Sequence, residues 1–202
     1  MKDTYRTISK VSEGLYKDKG SKFISFAFPV SEEDEIKRIL EEIKKRYHDA
    51  RHHCYAWCLG ADKSRYRAHD DGEPSNSAGK PILGKIHSND LTNILIVVVR
   101  YFGGTLLGTG GLVNAYREAA ADAVHNNRIV QEKVYAFYEL FFEYPQMNDV
   151  MTVIKDHHLE QYDQEFGLKC SLKIKIWIKE NESVLNKLHA LDNVTCKKIH
   201  DG

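Results

Sequence analysis

The feature that most constrains the fold is residues 94–102, where the sequence reads ILIVVVRYF. The first six residues of this run are apolar and mostly β-branched, which favours a strand. Since no polar residue alternates with them, both faces of that strand are expected to be buried. The chain is therefore predicted to fold around a central strand here. An apolar run of this length is far too short to cross a bilayer.

The composition predicts a folded chain. Its 202 residues suffice for one large domain or two small ones. The 29 Lys and Arg residues balance 29 Asp and Glu residues, and 42% of the chain is hydrophobic, which excludes disorder. The opening MKDTYRTISK contains no apolar segment, and four cysteines follow without a secretion signal. We therefore expect a cytoplasmic protein with reduced thiols and no membrane association.

The chain is predicted to divide near Lys133, into domains of residues 1–133 and 134–202. In the first, residues 22–30 and 52–60 have strand patterns, and a helix is expected over 31–47. Ser31 and Asp34 form an acidic variant of the capping box at the start of that helix.

The second domain has a compact alternation of strands and helices. We predict strands over 134–143, 159–166, 169–179 and 194–199, with helices over 146–158 and 182–191. The order βαββαβ is typical of a ferredoxin-like sandwich.

Glycines cluster between the central strand and the helix predicted to begin near Thr109: they are Gly103, Gly104, Gly108, Gly110 and Gly111. Glycine allows a ligand to approach the main chain closely, and a helix N-terminus attracts anions, so a phosphate is the expected occupant. The sequence matches neither the dinucleotide fingerprint nor the Walker A loop. The alternative interpretation is a turn that only lets helix and strand pack closely.

Three carboxylates lie within four positions, at Asp70, Asp71 and Glu73. Such a cluster could hold Mg²⁺ or supply a general base. The alternative is a hairpin turn that leads into a helix capped by Ser75 or Ser77, with the acidic residues at its favourable N-terminal end. Cys54 and Cys58 would need a second cysteine pair at matching spacing to indicate zinc, so we predict no metal and no cofactor.

Cationic and aromatic side chains flank both motifs, a combination that suits phosphates and unpaired bases. The set comprises Arg51, His53, Lys80, Lys85, Arg100, Tyr101 and Arg117. The alternative is a solvated face whose positive charges only neutralise the three carboxylates.

Two segments together resemble the signature of the YigZ/IMPACT family: DDGEPSNSAGKPIL (70–83) and NILIVVVRYFGGTLLGTGGLVNAY (93–116). The matching motif positions include Asp70, Asp71, Gly72, Glu73, Pro74, Gly79, Phe102 and Tyr116. One departure is Asn76-Ser77, where the family more usually has Gly-Thr.

The resemblance implies an α+β chain of two domains. The first would be of the ribosomal-protein second-domain type, with a mixed four-stranded sheet and two helices, and the second would be ferredoxin-like. This order resembles the last two domains of elongation factor G, which work on the ribosome. Eukaryotic IMPACT-type members regulate translation under amino-acid starvation, and the resemblance implies no established reaction.

The sequence and the resemblance together predict a non-enzymatic RNA- or ribosome-binding protein that regulates translation in a stress response, with a protein partner in that pathway as a further expectation. The predicted phosphate or nucleic-acid contacts are Lys80, Arg100, Tyr101, Gly103, Gly104, Gly108, Gly110, Gly111 and Arg117. One alternative is a metal-dependent phosphotransferase or hydrolase that uses the three carboxylates. Another is a protein-interaction adaptor that uses the exposed sheet of residues 134–202.

Overall fold

The computed structural model describes residues 2–201, and the side chains of residues 2–199. The helices are α1 (Glu33–Arg46), α2 (Gly79–Ser88), α3 (Gly108–His125), α4 (Met147–Asp156) and α5 (Asn181–His189), with a 3-10 turn at Tyr144–Gln146. The strands of the N-terminal half are β1 (Thr4–Ile8), β2 (Ser12–Asp18), β3 (Ser21–Pro29), β4 (His52–Leu59), β5 (Arg65–His69) and β6 (Ile94–Tyr101). They are followed by β7 (Ile129–Lys133), β8 (Tyr135–Glu143), β9 (Glu160–Glu165), β10 (Lys169–Trp177) and β11 (Thr195–Asp201).

The chain forms two compact units. The first runs from Tyr5 to Glu132, and the second runs from Lys133 onward and includes the residues up to Thr4. None of the helices described in residues 2–201 is both long enough and apolar enough to span a membrane.

The predicted central strand is confirmed in the first unit. Its sheet has the order β2-β3-β6-β4-β5, so β6 lies in the middle, and Ile94 to Val99 are fully buried. Helices α2 and α3 cover one face of the sheet, and α1 covers the other. Both faces of β6 therefore contact apolar side chains, as its unbroken apolar run requires.

Two expectations for the first unit are wrong. Its sheet has five strands with antiparallel neighbours, and three helices cover it, rather than a mixed four-stranded sheet with two helices. The added strand β5 is a largely exposed edge without apolar alternation. The capping box of Ser31 with Asp34 does not form either, because the Ser31 main-chain N–H donates instead to Glu35 Oε2, at 3.0 Å.

The second unit has the predicted ferredoxin-like order. Its antiparallel sheet runs β11-β8-β10-β9, the arrangement expected when two βαβ halves interlock. The even-numbered residues of β10, such as Leu172, Ile174 and Ile176, are fully buried in a core that also contains residues of α4 and α5. The observed α+β fold in two units confirms the predicted fold class.

Candidate functional site

The three carboxylates lie in what we call the acidic turn, residues 70–77, which leads into α2. The Asp70 carboxylate accepts main-chain hydrogen bonds from Asn76 (2.8 Å), Ala78 (3.1 Å) and Gly79 (2.8 Å). The first amides of a helix have no partner within it, and Asp70 satisfies two of them at the start of α2 from eight and nine residues away. Asp70 therefore serves as a helix cap.

Asp71 connects the acidic turn to strand β4. Its Oδ2 accepts the main-chain N–H of His53 at 2.7 Å, and its carbonyl oxygen lies 2.8 Å from His52 Nδ1. The turn also needs left-handed backbone, since φ is +44° at Asp71 and +62° at Asn76. Asparagine tolerates this region better than most residues, which suits Asn76 to its position in the turn.

Glu73 lies at the centre of a buried polar network. Its Oε1 lies 2.6 Å from Arg100 Nη1 and accepts the Tyr116 hydroxyl at 2.8 Å. The Glu73 and Arg100 side chains are only 3% and 7% exposed. This placement corrects the prediction that Arg100 contacts phosphate, because the guanidinium is already paired with a carboxylate inside the protein.

The same network contains Cys54. Its S–H donates to the Asp70 carbonyl oxygen at 2.9 Å, and its Sγ lies 3.3 Å from the Tyr116 hydroxyl. Burial raises the pKa of the Cys54 thiol well above its ordinary value. A protonated, buried thiol is a poor nucleophile and a poor metal ligand, so Cys54 has a structural role.

The carboxylates do not converge on one point. Asp70 binds amides, Asp71 binds an amide of β4, and Glu73 is paired with Arg100. Among residues 2–199, no three His, Cys, Asp or Glu side chains are grouped closely enough to hold a metal ion. The geometry thus favours the structural interpretation of the acidic turn over a metal-dependent active site.

The glycine loop, residues 103–111, connects β6 to α3 and combines two roles. A Cβ on Gly103 would lie 1.9 Å from the Gly20 carbonyl carbon, so Gly103 is required where two main chains meet. By contrast, a Cβ on Gly104, Gly108 or Gly110 would contact nothing within 4 Å. Packing therefore explains Gly103, and the left-handed φ angles of +85° at Gly104 and +69° at Gly108 explain those two glycines, whereas neither explains Gly110.

The exposed part of the glycine loop contains the N-terminus of α3. The N-cap residue Leu107 makes no side-chain capping bond, and the first turn of α3 has no acidic residue. Gly108, Thr109 and Gly110 are exposed to solvent. Their amides lack helical partners, as at every helix start, and together with the helix dipole they can attract an anion.

Lys80 and Arg117 are both exposed, as a phosphate contact requires. Arg117 Nη2 donates to Asn114 Oδ1 at 2.6 Å, and Arg117 Nε lies 3.5 Å from Glu118 Oε1. The rest of the guanidinium group is open to solvent.

Tyr101 and Phe102 point to different environments. The Tyr101 hydroxyl donates to Asp49 at 2.7 Å, which raises the pKa of Tyr101 to about 12, and its ring packs on the α1 side of the sheet. Phe102 is 53% exposed, and the Arg100 guanidinium carbon lies 5.7 Å from the centre of its ring. From the sequence, Tyr101 is the predicted stacking residue, and Phe102 is only a position of the family motif. Strand alternation was the signal that could have placed Phe102 beside Arg100.

Comparison with known proteins agrees with the family resemblance of segments 70–83 and 93–116. Residues 19–124 match the family described as the Impact N-terminal domain, a range that includes the acidic turn and the glycine loop. The chain is 37% identical to the IMPACT family member YigZ of Escherichia coli (strain K12), over 67% of this chain and 68% of that one. It is 31% identical to the IMPACT family member YvyE of Bacillus subtilis (strain 168), over 91% and 83%.

A solved structure resembles the whole chain. The crystal structure of a protein described as hypothetical has a TM-score of 0.79 at 27% identity, and the match covers 99% of both chains. The family model covers more than half of this chain, and both relatives exceed 30% identity, which confirms the predicted family. The chain belongs to the IMPACT family.

Proposed function

We propose that this chain regulates translation by binding structured RNA or the ribosome, without catalysing a reaction, and that the glycine loop is its phosphate contact. The observation that carries this proposal is the exposed first turn of α3. The N-cap residue Leu107 makes no side-chain capping bond, and a Cβ at Gly104, Gly108 or Gly110 would meet no atom within 4 Å. A phosphate oxygen can reach amides there without meeting a side chain.

The segment that contains the glycine loop has no acidic residue of its own. From Leu91 to Arg117 the sequence contains no Asp or Glu. Lys80 and Arg117 are exposed and would neutralise phosphates next to the one held by the loop. Arg100 is excluded from this set because Glu73 already pairs with it, and it supports the loop from beneath.

Family membership supports the biological role. The resemblance implies that IMPACT-type proteins regulate translation and that the two-domain order is similar to the ribosome-binding end of elongation factor G. The enzyme alternative lacks a comparable observation, because each carboxylate of the acidic turn already has a protein partner.

The test is the salt dependence of binding to a fluorescently labelled RNA stem–loop. Each phosphate neutralised by Lys or Arg contributes a slope of about −0.7 to −0.9 to the plot of log affinity against log salt. Contacts by Lys80 and Arg117 therefore predict a combined slope of about −1.4 to −1.8, or about 25- to 60-fold weaker binding for tenfold more salt.

Variants that remove one positive charge show whether the salt dependence of RNA binding arises from Lys80 and Arg117. Lys80→Gln and Arg117→Gln should each reduce the slope by about one phosphate's share. Lys187→Gln, at an exposed position on α5 in the other unit, is the control and should leave the slope unchanged. Binding that is independent of salt, or a slope that neither Lys80→Gln nor Arg117→Gln alters, would contradict the proposal.

A further inference from the structure

Phe102 is held in an unusual environment at the start of the glycine loop. More than half of its surface is in water. The Arg100 guanidinium carbon lies 5.7 Å from its ring centre and 5.5 Å from the ring centre of Phe23, which is fully buried. The guanidinium thus contacts a buried ring and an exposed ring at once.

The support beneath Phe102 is fixed in place. Arg100 Nη1 is 2.6 Å from Glu73 Oε1, and that oxygen also accepts the Tyr116 hydroxyl. Phe23 packs edge-on against Tyr116, with ring centres 5.1 Å apart. A cation over an aromatic face stabilises the pair, so the ring of Phe102 is oriented before any ligand arrives.

An exposed, pre-oriented ring suits a flat ligand. Stacking of a nucleobase on an aromatic side chain strengthens binding by roughly one to two orders of magnitude per base, whatever the base. The first turn of α3, which contains no acidic residue and begins six positions after Phe102, could take the phosphate of the same nucleotide.

We propose that Phe102 is the stacking platform for an unpaired nucleobase of the bound RNA. This inference rests on the proposed function and specifies which part of an RNA the chain would bind. Bases within a duplex are already stacked on their neighbours, so the glycine loop would recognise a single-stranded loop, bulge or end.

The test compares full-length variants on two probes, a labelled RNA stem–loop with an unpaired loop and a fully paired RNA duplex. Phe102→Ala should weaken binding to the stem–loop by about five- to a hundredfold and leave binding to the duplex unchanged. Phe102→Tyr and Phe102→Trp should restore stem–loop binding, because both retain an aromatic face. Phe166→Ala is the control: Phe166 is 55% exposed, in the other unit, and its loss should change neither affinity.

A second measurement locates the contact. An RNA stem–loop with 5-iodouridine in its loop should cross-link on irradiation to the peptide that contains Phe102. Thermal unfolding of each variant confirms that the fold is retained. Equal affinity of Phe102→Ala and the native chain for the stem–loop would overturn the stacking role, while salt-dependent binding would leave the proposed function standing.

Three other results would also overturn the inference. If Phe102→Ala weakened both probes equally, Phe102 would act by shaping the loop rather than by stacking. If Phe102→Ala changed capture of a protein partner but not of RNA, the ring would be a protein contact. If the native chain bound neither probe, the proposed function would fail, and the stacking role with it.

Discussion

Replacing Glu73 with alanine should lower the free energy of unfolding by about 3–5 kcal/mol, the usual cost of removing one partner of a buried ion pair. The pair is short, at 2.6 Å, and both side chains are at least nine-tenths buried. Without Glu73, the Arg100 guanidinium would stay in the interior with no compensating charge, and the Tyr116 hydroxyl would lose its acceptor.

The structure offers a matched control for this prediction. Glu33 pairs with Arg65 at nearly the same distance, 2.7 Å, but the two side chains are 48% and 55% exposed. Glu33→Ala should therefore change the free energy of unfolding by less than about 1 kcal/mol. Urea denaturation of both variants makes the comparison, and similar small losses in the two would show that the Glu73 pair is not buried as described.

Tyr116→Phe tests the same network by a milder change. It removes the hydrogen bond to Glu73 but retains the ring that packs on Phe23. The expected loss is about 1 kcal/mol, the typical net value of one hydrogen bond. This variant gives a measurable result even if Glu73→Ala does not fold.

Gly110→Glu should make the chain more stable and RNA binding weaker. A Cβ at position 110 would meet no other atom within 4 Å, and glycine inside a helix is less favourable than most residues. A carboxylate in the first turn also interacts favourably with the helix dipole. The stability gain should be roughly 0.5–1.5 kcal/mol.

The same carboxylate would occupy the position proposed for phosphate. Repulsion should lower the affinity for an RNA stem–loop about tenfold, which corresponds to roughly 1.4 kcal/mol. Gly110→Gln is the matched control, because it adds a side chain of nearly the same size and shape without the charge and should bind RNA more tightly than Gly110→Glu. Affinity and thermal stability measured on both variants decide the outcome, and equal RNA affinities would count against a phosphate at this turn.

The amino-acid sequence alone predicted the strands and helices whose apolar residues form a run or recur at a regular spacing. Strand β6 was recognisable because no polar residue interrupts Ile94–Val99, and β10 because apolar and polar residues alternate along it. Most of the second unit was predictable for the same reason, since β8, β10, α4 and α5 each have an apolar face.

Two features of the first unit were not predictable in this way, an exposed polar strand and a helix cap from a distant residue. Strand β5 is mostly exposed and polar, so no pattern marks it. The start of α2 relies on Asp70, eight residues before Ala78, and a local search for a capping residue cannot find such a contact.

In the candidate site, the structure bears on one assignment, the phosphate contact predicted for Arg100. Arg100 and Glu73 are 27 positions apart, and only the folded sheet shows that they pair. From sequence, an arginine beside a glycine cluster indicates phosphate binding. In the structure, the Arg100 side chain is buried against Glu73 and lies beside the ring of Phe102. The exposed residues Lys80 and Arg117 remain predicted contacts.

The most direct test of the central claim is an NMR titration of the ¹⁵N-labelled full-length chain with the RNA stem–loop. If main-chain amides of the glycine loop hold phosphate, the largest shifts should occur at Gly104, Gly108, Thr109 and Gly110. Saturable binding that leaves these four amides unshifted, while amides elsewhere in the chain move, would contradict the account.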